Sequence, residues 1–178
     1  EVDADLLAAI DRLVPRPASV LEIGAGLGGL AVALASRGHQ VIASELSDVA
    51  LAEAHARSPE AAVVWLQDDI RDTRLRGGFA AVVDRGCLHV LDADGAAAYA
   101  RGVARLVAAN GVLVIKAFTP ASAATRHAAA LDAASIAALF APHFTLAEDL
   151  ESSLPGPREA PAARLFVLRR GPIRDDGP

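Results

Sequence analysis

Residues 20–45 read VLEIGAGLGGLAVALASRGHQVIASE, and this run decides how the rest of the chain is organised. Ser19 to Glu22 is an extended segment that enters a glycine-rich turn, Gly24-Ala25-Gly26-Leu27-Gly28-Gly29. An Ala/Leu-rich helical stretch follows up to Ser36-Arg37, with Gly38 as its C-terminal stop. A second apolar strand, Gln40 to Ser44, ends on the acid Glu45. Strand, turn, helix and strand in this order form one unit of a parallel sheet. Glycines in such a turn let a ligand approach the backbone and open a helix N-terminus. An acid closing the next strand can accept hydrogen bonds from ribose hydroxyls. Nucleoside binding is the expectation, and a tight turn that binds nothing is the alternative.

On the N-terminal side, Leu6, Leu7, Ile10, Leu13 and Val14 fall on one helical face within and just after Asp3 to Leu13, and Pro15 and Pro17 end that helix. On the other side, Ser47 caps a helix that runs to Arg57, and Ser58-Pro59 stops it. Ala62 to Leu66 reads as a third strand, followed by Gln67-Asp68-Asp69-Ile70. Gly77-Gly78 turns the chain into a fourth strand, Phe79 to Val83, which closes on Asp84-Arg85-Gly86-Cys87-Leu88-His89. The pattern from Asp92 to Ala109 predicts a long helix ended by Asn110-Gly111. Val112 to Phe118, apolar except for Lys116, has the character of a buried central strand. Ala121 to Ala130 is small and polar, a loop or a loose helix over the pocket. Asp132 starts a helix through Ile136, Leu139 and Phe140. Two closing strands, Phe144 to Leu150 and Arg164 to Leu168, are joined by a Pro/Gly-rich loop at Leu154 to Pro161. At 178 residues the chain is expected to be a single domain over 1–170 with a frayed tail at 171–178. The alternation of helix and strand predicts an α/β fold with a mainly parallel sheet, helices on both faces, and ligands at the carboxyl ends of the strands.

Composition narrows the function. Apolar residues make up 53% of the chain, yet none of their runs approaches the length of a membrane span. The single cysteine, Cys87, excludes an internal disulfide and fits a cytoplasmic setting. A net charge of −5, without a basic cluster before the C-terminal end, argues against nucleic acid as partner. His39, His55, His127 and His143 have no ligand spacing, so no metal site is expected. The chain contains no Met, so it reads as trimmed at its N-terminus, with a targeting segment left open.

Two features separate the opening unit from flavin and NAD folds. Glu22 stands just ahead of the glycines, where dinucleotide folds keep an apolar residue, and the following helix is about half a turn shorter than in flavoproteins. Glu22-Ile23-Gly24-Ala25-Gly26-Leu27-Gly28 resembles the E/D-x-G-x-G-x-G signature of class I S-adenosylmethionine (SAM) methyltransferases. The resemblance extends from Asp3 to about Arg169. It implies a three-layer sandwich around a Rossmann-like seven-stranded sheet in the order 3-2-1-4-5-7-6, with strand 7 antiparallel. It also implies SAM as cofactor and S-adenosylhomocysteine (SAH) as its product.

Carried onto this chain residue by residue, the resemblance gives Glu45 the ribose hydroxyls and gives Asp69 with Ile70 the adenine, Asp68 being the competing choice. Leu46, with Ile23, would cover the base. Gly24, Ala25, Gly26 and Gly28 would line the methionine part. Glu22 would bind its ammonium or, equally, tie down the turn. Asp84 would lie where donor and acceptor meet. The segment Asp84-Arg85-Gly86 further resembles thiopurine methyltransferase and the tellurite-resistance-type enzymes, small thiol or chalcogen methyltransferases. That implies a catalytic group of Asp84, Arg85 and His89. Arg85 would steady an anionic acceptor or else pair with Asp84. His89 would take a proton or else sit exposed on the surface. Cys87 would line the pocket, and His127 could reach the acceptor. The family closes its pocket with residues ahead of the first helix, of which few stand here, so the lid is either missing from this copy or supplied from elsewhere. The expected partner is a small-molecule acceptor, with no nucleic acid or membrane, and the protein is expected to be a monomer or homodimer. The alternatives are a flavin- or NAD-binding oxidoreductase fragment and a non-catalytic SAM-binding protein.

Overall fold

The computed structural model describes residues 3–119, 131–154 and 161–172. The stretch 121–130 with His127, most of the loop after Leu154 and most of the tail lie outside the described residues. Seven strands form one sheet: β1 (Ser19–Ile23), β2 (Gln40–Glu45), β3 (Val63–Gln67), β4 (Phe79–Arg85), β5 (Val107–Phe118), β6 (Phe144–Ser153) and β7 (Ala162–Arg170). Their order across the sheet is β3-β2-β1-β4-β5-β7-β6. The first five pair in parallel, and β7 runs antiparallel to both β5 and β6. Five helices accompany them among the described residues: α1 (Ala4–Leu13), α2 (Gly29–Ser36), α3 (Asp48–Arg57), α4 (Ala93–Leu106) and α5 (Ala133–Phe140).

The central strands are apolar on both faces because both are covered. Leu21, Ile23, Val82, Leu113 and Ile115 pack towards α4 and α5. Val20, Val41, Val83, Val114 and Val167 pack towards α1 and α2. Successive side chains alternate between these layers, as the two-residue period of a strand requires. Each fully buried Leu, Ile or Val contributes roughly 1.5–3 kcal/mol, and that burial sets the register. Helix starts follow the sequence. Ser47 accepts from the Ala50 amide at the head of α3, and Asp132 forms a capping box with Ser135 at the head of α5.

One boundary differs from the expectation. The helix predicted to reach Ala109 stops at Leu106, and the chain passes directly into β5. The Leu106 carbonyl accepts from Gly78, and Val107 pairs with Phe79 before the register jumps to Ala81 opposite Val112. Asn110, at φ 61°, takes up the extra residues in left-handed backbone. Asn110-Gly111 is therefore an irregularity within the strand rather than a helix stop. Val-Ala-Ala favours helix locally, and tertiary pairing overrides it.

Candidate active site

The sheet order reverses between β1 and β4, and a cleft of about 320 Å³ opens there at the carboxyl ends of the parallel strands. Two glycines give the turn after β1 its shape. Gly28 caps α2 with φ +75°, and a Cβ there would stand 2.2 Å from the Trp65 ring on β3. Gly24, at φ +66°, would place a Cβ 3.0 Å from that of Cys87, just past β4. The turn is thus hemmed in by Trp65 on one side and Cys87 on the other, where a side chain would collide as well as strain the backbone.

Glu45, at the tip of β2, holds this turn in place. Its carboxylate accepts from the amides of Gly26 (2.9 Å), Leu46 (2.8 Å) and Ser47 (3.0 Å). A carboxylate has about four acceptor positions, so room remains for a ligand donor. Beyond β3, Asp69 caps a short 3-10 turn, Ile70–Asp72, by accepting from the Arg71 amide. The Arg71 guanidinium lies 2.7 Å from Asp69 Oδ2 and holds the Asp69 carboxyl below its usual range. Asp68 accepts from the Arg74 amide at 3.2 Å, while its Oδ2 is buried with no partner among the described residues.

Of the residues singled out from sequence, Gly24, Glu45, Leu46, Asp69, Ile70 and Arg85 line this cleft, with Asp68, Arg71 and Cys87 beside them. Ala25, Gly26, Gly28, Glu22, Asp84 and His89 do not reach its wall. Gly26 and Gly28 act on it through the turn they shape.

Glu22 is 3% exposed and lies under the turn, where burial pushes its carboxyl up to about 8. Its Oε2 has no partner among the described residues, so tying down the turn does not occupy both of its oxygens. Asp84 is fully buried and does not pair with Arg85. Its carboxylate accepts from the amides of Cys87 (2.7 Å) and Leu88 (2.9 Å) and from the Tyr99 hydroxyl (2.7 Å). It therefore organises the turn after β4. Arg85 instead pairs with Asp3, Nε to Oδ2 at 2.7 Å.

His89 is 5% exposed rather than on the surface. Its ring lies 4.7 Å from that of Phe118 and close behind Gly86, and desolvation lowers its pKa, which favours the neutral imidazole. Burial pushes the Cys87 thiol well up, so it is a thiol and a lining group, not an activated nucleophile.

Two groups escaped the sequence reading. Arg71 borders the cleft two residues after Asp69, on a turn too short to show periodicity. Lys116, 1% exposed on β5, donates to Asp3 and Asp5 at the start of α1. Its only signal was a lone cation in an apolar strand.

Charge discriminates between ligands. The Glu45 carboxylate is bonded to the glycine turn, which opposes a pyrophosphate at a place where phosphate-binding turns rely on open amides. The carboxylates of the wall, Glu45, Asp68 and Asp69, suit a nucleoside bearing a sulfonium and an ammonium. Leu46, Ile70, Val90 and Leu91 offer an apolar seat for a base. The residues present fit SAM. Among the described residues no cluster of His, Cys, Asp and Glu is placed to hold a metal ion, and no helix is long and apolar enough to cross a membrane.

Comparison with known proteins agrees with this geometry. The methyltransferase domain family matches residues 20–111, more than half of the chain. Uncharacterized methyltransferases of Mycobacterium bovis and Mycobacterium tuberculosis are 35% identical over 117 residues, 65% of this chain and 58% of theirs. The chain thus matches under two thirds of the length of these relatives. Among solved structures, the TehB-like SAM-dependent methyltransferase from Corynebacterium glutamicum is 22% identical with a TM-score of 0.73, covering 94% of this chain and 86% of that one. The Burkholderia thailandensis 1,6-didemethyltoxoflavin-N1-methyltransferase, with SAH bound, is 24% identical with a TM-score of 0.77, covering 94% and 77%. These likenesses establish the fold. The family match shows that the chain belongs to the methyltransferase domain family.

Proposed function

We propose that this chain transfers a methyl group from SAM to a small-molecule acceptor, with a thiol or other chalcogen nucleophile as the candidate. The observation that carries the proposal is the convergence of Gly24, Glu45 and Asp69, from three strand ends, on one cleft that also contains Arg85. In this reading Glu45 receives the ribose hydroxyls at its remaining acceptor position. Asp69 and the Ile70 amide receive the adenine, and Leu46 covers it. Gly24 presents backbone to the methionine part, in a turn that Ala25, Gly26 and Gly28 complete, and Glu22, buried beneath with its carboxyl raised, supports that turn from below. Asp84 keeps the turn after β4 in place through the Cys87 and Leu88 amides.

When bound, SAM supplies an already activated methyl group, so the protein's work is alignment and exclusion of water. Arg85, partly neutralised by Asp3, would orient an acceptor of negative charge. A thiol fits a site whose wall carries no exposed strong base among the described residues, because a free thiol with a pKa of about 8.5 already has an anionic fraction near neutral pH. His89, neutral and behind Gly86 rather than on the cleft wall, would take a proton from a less acidic acceptor only through an intervening water. The solved relatives span several chemistries. One is an N-methyltransferase, and another belongs to echinomycin biosynthesis, in the conversion of a disulfide bond into a thioacetal group.

The test is SAH release from SAM across a panel of thiol, phenol and amine acceptors. Turnover on thiols with little on amines is the expected result. SAM binding without SAH release on any acceptor would leave a binding protein. Turnover confined to amines would overturn the choice of acceptor and keep the methyltransferase.

A further inference from the structure

A second cavity, of about 400 Å³, shares Arg71 with the cleft and runs along the outer side of α4. Its wall includes Arg71, Arg101, Arg105, Arg170 and His143, with Asp72 as its one carboxylate. In a chain of net charge −5, four arginines against one acid is a local reversal of sign. Arg71 is committed to Asp69 and contributes little free charge. Arg101, Arg105 and Arg170 make no salt bridge among the described residues.

A plain explanation covers two of them, since Arg101 and Arg105 lie in the C-terminal half of α4, where cations are favoured by the helix dipole. It does not cover Arg170, at the end of β7. Arg170 Nη1 is buried with no hydrogen-bond partner among the described residues, and its guanidinium stands 5.8 Å from the Phe144 ring centroid. A desolvated donor left open is costly, and burial lowers the Arg170 pKa accordingly. An anion in the cavity would supply the missing acceptor. Gly102 keeps this wall together: a Cβ there would stand 2.4 Å from the Ile70 carbonyl, so the 3-10 turn packs directly on α4.

We propose that this cavity is an anion site for a phosphate-class dianion, held by Arg101, Arg105, Arg170 and His143. A smaller cavity of about 230 Å³ shares Arg101 and His143 and continues to Leu139 and Phe140. It gives an apolar substituent on the phosphate a place to lie. The ligand class is therefore either free phosphate or a phosphate ester with an apolar group. Nothing in this proposal depends on what occupies the cleft at the strand tips.

The test is calorimetric titration of the whole chain at low ionic strength with inorganic phosphate and with phenyl phosphate, against chloride at matched ionic strength. One saturable phosphate site is expected, weakened by about tenfold in Arg170→Gln and in the surface double variant R101Q/R105Q, as loss of charge-assisted hydrogen bonds implies. SAH affinity should be unchanged in R101Q/R105Q, which reports that the fold is intact. Tighter binding of phenyl phosphate assigns the site to an ester, and equal binding assigns it to free phosphate. Binding no better than chloride, or binding unchanged in both variants, overturns the proposal.

Discussion

Glu22 and Glu45 show how two acids of one motif do different work at the scale of single residues. Glu45 is engaged by three backbone amides at the cleft wall, whereas Glu22 is shut in with an open oxygen and a carboxyl raised from 4.5 to about 8. A carboxyl raised on folding binds its proton more tightly in the native state, so stability falls as pH rises from the unfolded value towards the folded one. Below about 4.5 the penalty is absent, and above about 8 it is complete, roughly a few kcal/mol. Glu22→Gln is expected to flatten this loss: wild type should melt lower at pH 8.5 than at pH 5 by clearly more than the variant does. Parallel pH profiles of the two melting temperatures would show that Glu22 is ionised without cost.

Among the elements, α1 is fastened to the sheet by an arrangement that periodicity does not reveal. Apolar spacing predicts the face carrying Leu6, Leu7 and Ile10, and these are fully buried. The same pattern is silent about Asp3, which caps α1 in position but makes no side-chain cap bond. Asp3 instead meets Lys116 and Arg85 across the strand ends. Lys116→Met should destabilise the fold by about 3–5 kcal/mol, because it leaves the buried Asp3 with Arg85 alone on that side. Adding Asp3→Asn should recover a good part of that loss, a coupling that urea melts of the two single variants and the double variant would read out. Strict additivity would mean that the pair is not a unit. The α4–β5 junction was hidden for a related reason. Its residues favour helix, and only the pairing of Val107 with Phe79 draws them into the sheet.

For the molecule as a whole, the fold was legible because each crossover carries its own punctuation: Gly38 after α2, Ser58-Pro59 after α3 and Gly77-Gly78 before β4. That Gly24, Glu45 and Asp69 would line one cleft could be read for the same reason, since each stands at or just past a strand end and parallel strands end together. The surroundings of Arg85 and His89 were harder to read. Arg85 and His89 turn on contacts with Asp3 and Phe118, distant in sequence, so their partners and burial emerge only when the sheet is assembled. Arg170 likewise joins α4 only through the antiparallel return of β7. The claim on which the account depends is that the strand tips around the glycine turn cradle a sulfonium nucleoside, and calorimetric titration with SAH tests it most directly. The expected result is a single site in wild type, weakened at least about tenfold by Glu45→Ala, with no heat from NAD. Equal SAH affinity in the variant, or NAD binding that SAH displaces, would contradict it.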